Sequence, residues 1–394
     1  MIVEITPRKL KGEINAIASK SVAHRALICA SLATGESEIS IGTTSLDIEA
    51  TKSALRSMGA GIEENENVCR ITPVKDNGEA FVDCNESGST LRFLVSVCAS
   101  LGKKATFTER GRLPERPMKT LTDELKNHGI TVNEGFPIEI EGKLQRGVYT
   151  LDGSVSSQFV TGLLMALPQA GGGEIDLTGT VQSKSYIDIT LSVMEKFGVK
   201  VEEKGNTYIV PDKRFSPAKL TVEGDWSNAA FFLSAGVKMN NLDMNSKQGD
   251  KKVAEILERL ENEKGKITID VSDIPDLVPI LAVKASTRKD TTEFINAERL
   301  KIKESDRILS TVTMINSLGG KAEGTDNSIK IYGMGAFKGG KVSAFNDHRI
   351  VMSAAIAAAY SEGNVIIDGA EAVNKSYPHF FEDYKKLGGI LNVL

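Results

Sequence analysis

RALICASLATGESEISI, residues 25–41, is followed three residues later by SLDIEATKSALRSMGAGI, residues 45–62. The first stretch is apolar around nearly its whole circumference up to Leu32, breaks near Gly35, and resumes as a short alternating strand. A helix apolar on all sides is buried rather than laid on the surface. The second stretch sets Ile48, Leu55 and Met58 against Lys52 and Arg56, so it is amphipathic. It ends at a glycine suited to the left-handed cap that closes a helix before the next strand.

The same form recurs outward from this pair. Apolar helices with a break and a strand begin at Leu91, Phe159, Ala229, Leu277 and Ile350. Amphipathic helices ending at Gly recur in RPMKTLTDELKNHGITV, SYIDITLSVMEKFGVKV and SDRILSTVTMINSLGGKA. Behind them lie strand pairs such as GVKVEEKGNTYIVP, from Gly198, with a Gly-Asn turn. The unit is β-α-β-α-β-β, repeated about six times with a period of roughly 65–70 residues. Three units per domain is the simplest grouping. The fourth copy keeps its amphipathic helix, QGDKKVAEILERLENEKGKITID, but lacks the Gly turn and most of the hairpin, so a trimmed subdomain is expected there.

Bulk composition limits the function. A chain of 394 residues exceeds one core at ~100–200 residues per domain. The net charge of −4 leaves no basic excess to neutralise phosphates along a nucleic acid, and aromatics are not interleaved with the basic residues. The N-terminal MIVEITPRKLKGEINAIASKS has no apolar h-region, and no apolar run approaches ~20 residues, so neither secretion nor membrane insertion is expected. Cys29, Cys69, Cys84 and Cys98 show no CxxC spacing and read as reduced thiols of a cytoplasmic protein.

Charge gathers at the repeat junctions instead. Ser19-Lys20-Ser21 and His24-Arg25 precede or open a buried helix. Ser19 or Ser21 is a candidate cap there. Cations at a helix start oppose the dipole, so Lys20 and Arg25 imply an anion. Ser87-Gly88-Ser89 permits close backbone approach ahead of another apolar helix, with Arg92 expected to pair with a carboxylate. Arg112 and Arg116 lie on a Pro-rigid loop, Gly111–Pro117, and Ser154, Ser156, Ser157 and Gln158 open a further helix. In the second half Asp276, then Lys303 to Arg307, then Asp347-His348-Arg349, then Lys375 to Pro378 stand at helix starts. Asp47, Glu115 and Asp347 read as caps or Arg partners. His128 and His379 read as helix C-terminal residues without a role, and His348 as structural. With the junctions facing one way, they make a positive cleft between two halves of an acidic protein.

These residues resemble a known family. SKSVAHRALICASL, SGSTLRF, GRLPERP, GSVSSQFVTGLLMA, SKSYIDITL, VEGDWSNAAFF, IPD, KIKESDR, NDHR and NKSYP occur in the order seen in 3-phosphoshikimate 1-carboxyvinyltransferases, the EPSP synthases of the shikimate pathway. The resemblance implies a two-domain inside-out α/β barrel of three βαβαββ units per domain. Residues 14–224 form one domain, mainly on the shikimate 3-phosphate side. Residues 1–13 with 225–394 form the other, mainly on the phosphoenolpyruvate carboxylate side, with the active site in the cleft and domain closure on binding.

The implied reaction adds the 5-hydroxyl of shikimate 3-phosphate to phosphoenolpyruvate and eliminates phosphate, with no metal and no cofactor. By position, Lys20, Ser21, Arg25, Ser156, Ser157, Gln158, Ser183, Tyr186, Asp276 and Lys303 match the shikimate 3-phosphate site. Lys20, Gly88, Arg116, Gln158, Arg307, Arg349 and Lys375 match the phosphoenolpyruvate site. Asp276 matches the base for the 5-hydroxyl, Glu304 the residue of proton transfer at the methylene carbon, and Lys20 a proton donor at the bridging oxygen. The resemblance further implies a monomer inhibited by glyphosate. The chain departs from the common pattern with Glu86-Ser87 before Gly88 and with Arg299 where Asn is frequent. The related UDP-N-acetylglucosamine enolpyruvyl transferases carry a reactive cysteine on the loop corresponding to Gly111–Pro117, where this chain has none. A non-catalytic anion-binding module would be expected to lack Asp276 or Glu304, and both are present.

Overall fold

A computed structural model describes residues 1–75, 78–133 and 135–394. The chain divides into two compact units, Ala18–Glu223 and Met1–Ile17 with Gly224–Leu394. The strand Glu13–Asn15 pairs in parallel with Lys238–Asn240 and so belongs with the unit holding both termini. The first passage between units therefore falls after Ile17, a few residues beyond the position 13 that the resemblance implies.

In the unit Ala18–Glu223 the repeat appears three times as a four-stranded sheet. Ala80–Asp83 runs parallel to Ala105–Thr108, which pairs antiparallel with Ile138–Glu141, which pairs antiparallel with Thr131–Val132. Val148–Asp152, Gly173–Thr178, Thr207–Val210 and Glu202–Lys204 follow the same scheme. The remaining sheet is completed from a distance. Its parallel edge strand, beside Ser37–Ser40, is Lys219–Thr221 from the end of the unit.

The other unit repeats the arrangement with Ile267–Asp270, Thr292–Ile295, Ser328–Tyr332 and Lys321–Gly324. Its second four-stranded sheet borrows the N-terminus. Ile2–Thr6 lies between Val365–Asp368 and the C-terminal strand Ile390–Val393. The fourth copy is trimmed, as its sequence suggests: among the described residues it has the two strands Glu13–Asn15 and Lys238–Asn240 and no hairpin. Among the described residues every sheet is open.

The apolar helices form the two cores. Lys20–Ser31, Gly88–Leu101 and Ser157–Ala166 are buried over almost every position in their unit, and Trp226–Ser234, Val278–Ser286 and His348–Ala357 in the other. Each fully buried Leu, Ile or Phe contributes about 1.5–3 kcal/mol, and every one of these helices carries at least two. Gly88–Leu101 packs closely on Ser157–Ala166 because Gly162 has no side chain there; a Cβ on Gly162 would lie 2.6 Å from the Arg92 carbonyl.

The helix starts place the charged motifs. Ser45, Ser87, Ser156, Asp225, Asp306 and Asp347 each cap a helix by accepting a backbone N–H. Ser19 does not: it stands at the cap position of Lys20–Ser31, but its hydroxyl is buried without a hydrogen-bond partner among the described residues. His379 does not close a helix either. It precedes the helix Phe380–Lys386 and faces Glu382, so it lies at an N-terminus. His128 does close the helix Lys119–Asn127, where it faces Glu124 and stacks on Tyr149. No helix among the described residues is long and apolar enough to cross a membrane. All four cysteines are free and buried.

Candidate functional site

In the unit Ala18–Glu223, Arg25 sits one turn into the helix Lys20–Ser31 and is 2% exposed. Its guanidinium donates to the Ser21 carbonyl at 2.6 Å, Thr190 Oγ1 at 2.7 Å, the Tyr186 carbonyl at 3.0 Å and Thr161 Oγ1 at 3.3 Å. None of these is a carboxylate. Burial pulls its pKa down to about 10, against a weaker opposing effect of Tyr186. The guanidinium also lies over the Phe93 ring, 5.0 Å from its centroid, and a buried cation held by neutral groups is costly until an anion joins it. Thr161 and Thr190, which bond to each other at 2.9 Å, hold this guanidinium, and nothing in their spacing marked them beforehand.

Lys20 differs from the sequence-based expectation. Its ammonium donates to Asp47 Oδ2 at 2.7 Å, so it has a carboxylate partner within its own unit. Asp47 therefore serves Lys20 rather than an arginine, and Ser45 is the cap of that helix.

The starts of two neighbouring helices meet through Gln158. Its Oε1 accepts from Arg92 Nη1 at 2.7 Å, and its Nε2 donates to Ser89 Oγ at 3.0 Å. Arg92 thus binds the Gln158 amide and the Pro117 carbonyl. Arg116 lies directly over Gly88: a Cβ there would come within 2.6 Å of Arg116 Nη1. Ser156 is the cap beside the buried Ser157. Ser183 takes a left-handed conformation, φ 56°, at the start of the helix Lys184–Lys196 and is 1% exposed. Glu115 is the partner of Arg112.

In the other unit, two motifs far apart in the chain, Lys303 to Arg307 and Arg349, converge on Asp276. Arg307 Nη1 donates to Asp276 Oδ1 at 2.7 Å, Lys303 Nζ to the same oxygen at 3.3 Å, and Arg349 Nη2 to Oδ2 at 3.1 Å. Arg349 Nη1 also donates to the Asp276 carbonyl at 3.0 Å. Arg307 is fully buried, and its other donors reach Glu304 and both oxygens of Asp347. Asp347 also caps the helix His348–Ala357 through the Arg349 N–H and accepts from Ser305. It is therefore both the cap and the Arg partner that its position suggested. Lys375 donates to the Asn346 carbonyl at 2.7 Å.

Electrostatics follow from this packing. Burial drives the Lys303 pKa down to about 8, with Asp276 opposing it and Arg307 and Arg299 adding to it. Burial acts against the charged form of Arg307 too, but Asp347, Glu304 and Asp276 outweigh it and hold the guanidinium firmly protonated. Asp347 stays below the ordinary range although burial pushes it up, because Arg307 lies against it. Asp250, wholly buried, is pushed up to about 7 by burial and by Asp276, and no sequence pattern marked it.

Each unit thus holds a cluster of largely buried basic side chains, one around Arg25 and one in which Lys303, Arg307 and Arg349 meet Asp276, Glu304 and Asp347. The profile of the EPSP synthase family, 3-phosphoshikimate 1-carboxyvinyltransferase, matches residues 5–384. The chain belongs to that family. It is 42% identical to the 3-phosphoshikimate 1-carboxyvinyltransferase of Clostridium kluyveri over 419 residues, covering 98% of this chain and 97% of the relative. It is 41% identical to that of Clostridium perfringens over 420 residues, covering 99% of each. The fold is similar to that of EPSP synthase from Acinetobacter baumannii, with a TM-score of 0.81 over 100% of both chains at 24% identity. The family reaction is transfer of the enolpyruvyl group of phosphoenolpyruvate to shikimate 3-phosphate, a step toward the aromatic amino acids.

Proposed function

We propose that this chain carries out that transfer with the residues of the two buried clusters, as a cytoplasmic monomer that glyphosate inhibits. The observation that carries the reading is the convergence of Lys303, Arg307 and Arg349 on Asp276, two motifs joined at one carboxylate. A carboxylate gripped by three cations serves as a placeholder for an anionic ligand. When the phosphoenolpyruvate carboxylate takes Arg307 and Arg349, each arginine exchanges one carboxylate for another. Asp276 is then released to accept the proton of the 5-hydroxyl of shikimate 3-phosphate.

On the other unit, Arg25 takes up the substrate anion its neutral surroundings lack, with Lys20, Ser21, Ser156, Ser157, Gln158, Ser183 and Tyr186 holding the same substrate. Gly88, Arg116, Gln158, Lys20 and Lys375 take phosphoenolpyruvate. As the 5-oxygen adds to the enol carbon, Glu304 manages the proton gained and then lost at the methylene carbon, and Lys20 protonates the bridging oxygen as phosphate leaves. General acid–base catalysis is worth ~10²–10⁴-fold, whereas positioning two reactants removes ~7–11 kcal/mol of barrier. The cations therefore carry most of the rate.

The test follows phosphate release on mixing the chain with shikimate 3-phosphate and phosphoenolpyruvate. UDP-N-acetylglucosamine replaces the shikimate compound as the control. Release with the control alone overturns the reading.

A further inference from the structure

Four buried side chains in the unit Ala18–Glu223, none of them assigned above to a substrate, form one continuous hydrogen-bond chain. His24 Nδ1 lies 2.7 Å from Thr51 Oγ1, which lies 2.7 Å from Thr90 Oγ1, and Thr90 Oγ1 donates to Ser87 Oγ at 2.8 Å. Ser87 also accepts the Thr90 backbone N–H at 3.2 Å, as the cap of the helix that begins at Gly88. His24, Thr51, Thr90 and Ser87 are 1%, 0%, 0% and 1% exposed, so water does not compete for these bonds.

The protons along the chain are ordered by elimination. A threonine hydroxyl carries one proton. Thr90 gives its proton to Ser87, so Thr51 must donate to Thr90, and His24 must donate to Thr51 through Nδ1–H. The imidazole is neutral, since burial first and then Lys20 and Arg25 keep its pKa well below the ordinary value. Its single N–H is therefore fixed on Nδ1, and Nε2 is left buried with no partner among the described residues. An apolar side chain would fill this space without that unmet acceptor. The other end of the chain explains the histidine, since it fixes Ser87 as the acceptor at the helix start where Gly88 meets Arg116.

We infer that His24, Thr51 and Thr90 are positioning residues for phosphoenolpyruvate, holding Ser87 so that Gly88 and Arg116 keep their mutual spacing. The inference rests on the assignment of Gly88 to phosphoenolpyruvate proposed above. It makes a prediction contrary to sequence proximity. His24 lies on the helix that carries Lys20 and Arg25, yet its loss acts on the other substrate.

Steady-state kinetics of full-length Thr51→Val, Thr51→Ser, Ser87→Ala and the Thr51→Val/Ser87→Ala double variant test this, each substrate varied in turn. Thr51→Val is expected to raise KM for phosphoenolpyruvate about 3- to 10-fold, the effect of one lost buried hydrogen bond, with KM for shikimate 3-phosphate within about 2-fold. Thr51→Ser restores the value, and the double variant is no worse than the worse single one, because both break one serial chain. Should Thr51→Val fail to fold, His24→Leu against His24→Asn, which retains an N–H donor, makes the same comparison. A rise in KM for shikimate 3-phosphate instead, an equal rise in both, or no rescue by Ser or Asn overturns the inference. Gly88→Ala separates the two levels. If it leaves KM for phosphoenolpyruvate unchanged, the site assignment falls and the inference with it. If it raises that KM while Thr51→Val does not, the inference alone falls.

Discussion

Arg307 Nη1 lies 2.7 Å from Asp276 Oδ1, with the arginine side chain wholly out of solvent and the aspartate 15% exposed. The cation is fixed by Asp347 from behind, and Asp276 is the more accessible partner. The proposed anionic ligand would therefore take the place of Asp276 on Arg307.

Asp276→Asn is close in shape and removes the carboxylate proposed as the base. Turnover is expected to fall by about 10²–10⁴-fold while binding of shikimate 3-phosphate, followed by calorimetry, changes little. Near-normal turnover would remove Asp276 from the reaction.

Arg307→Met leaves Asp347, at 0% exposure, without its cation. Removing one partner of a buried pair costs about 3–5 kcal/mol, to be read from urea unfolding midpoints. A loss below about 1 kcal/mol, the level of a surface pair, would contradict the buried network.

Gly88→Ala places a methyl group 2.6 Å from Arg116 Nη1, and the guanidinium must move aside. KM for phosphoenolpyruvate and the inhibition constant for glyphosate should each rise roughly 10-fold or more, with KM for shikimate 3-phosphate unaffected. Parallel changes in all three constants would place Gly88 elsewhere.

Lys303 sets the alkaline behaviour. Its folded pKa of about 8 lies below the ordinary 10.5, so it is charged below about pH 8 and neutral above. Between the two values the unfolded chain holds the extra proton, so this group's contribution to stability rises with pH across that window. Anion binding runs the other way. The kcat/KM for shikimate 3-phosphate should decline above about pH 8, and Lys303→Arg, always charged, should remove that limb. A limb unchanged in the variant would assign it to another group.

Gly162→Ala tests the helix contact beneath the site. A Cβ 2.6 Å from the Arg92 carbonyl forces the two helices apart at a cost of about 1–3 kcal/mol, measured as a lower unfolding temperature. Because Arg92 holds Gln158, activity should fall as well.

The repeat, the buried helices and the trimmed fourth copy were legible in the sequence, because apolar periodicity and glycine stops are local properties of the chain. So were the junction residues, since a cation at a helix start is a local anomaly. Their partners were not. Asp47 reaches Lys20 from the second helix of the same repeat, while Thr161 and Thr190 for Arg25 and Gln158 for Arg92 come from separate repeats, and no spacing rule connects any of them. Ser19 looked like a cap and makes none, while Ser45 and Asp347 do.

RALICASLATGESEISI and the helix after it determined by themselves that this chain repeats a βαβαββ unit, because burial and capping are written into consecutive side chains. The tertiary structure alone decided how the repeats close. The sheet containing Ser37–Ser40 takes its edge strand from Lys219–Thr221, and Ile2–Thr6 fills the sheet completed by Ile390–Val393. It also decided which cations lie against a carboxylate and which against neutral groups. Among the described residues Arg25 is held by neutral oxygens and the Phe93 ring and Lys20 by a carboxylate, a difference made by helices more than twenty residues away in the chain. The physical reason is that propensity acts between neighbours in sequence, whereas strand pairing and charge compensation act between neighbours in space.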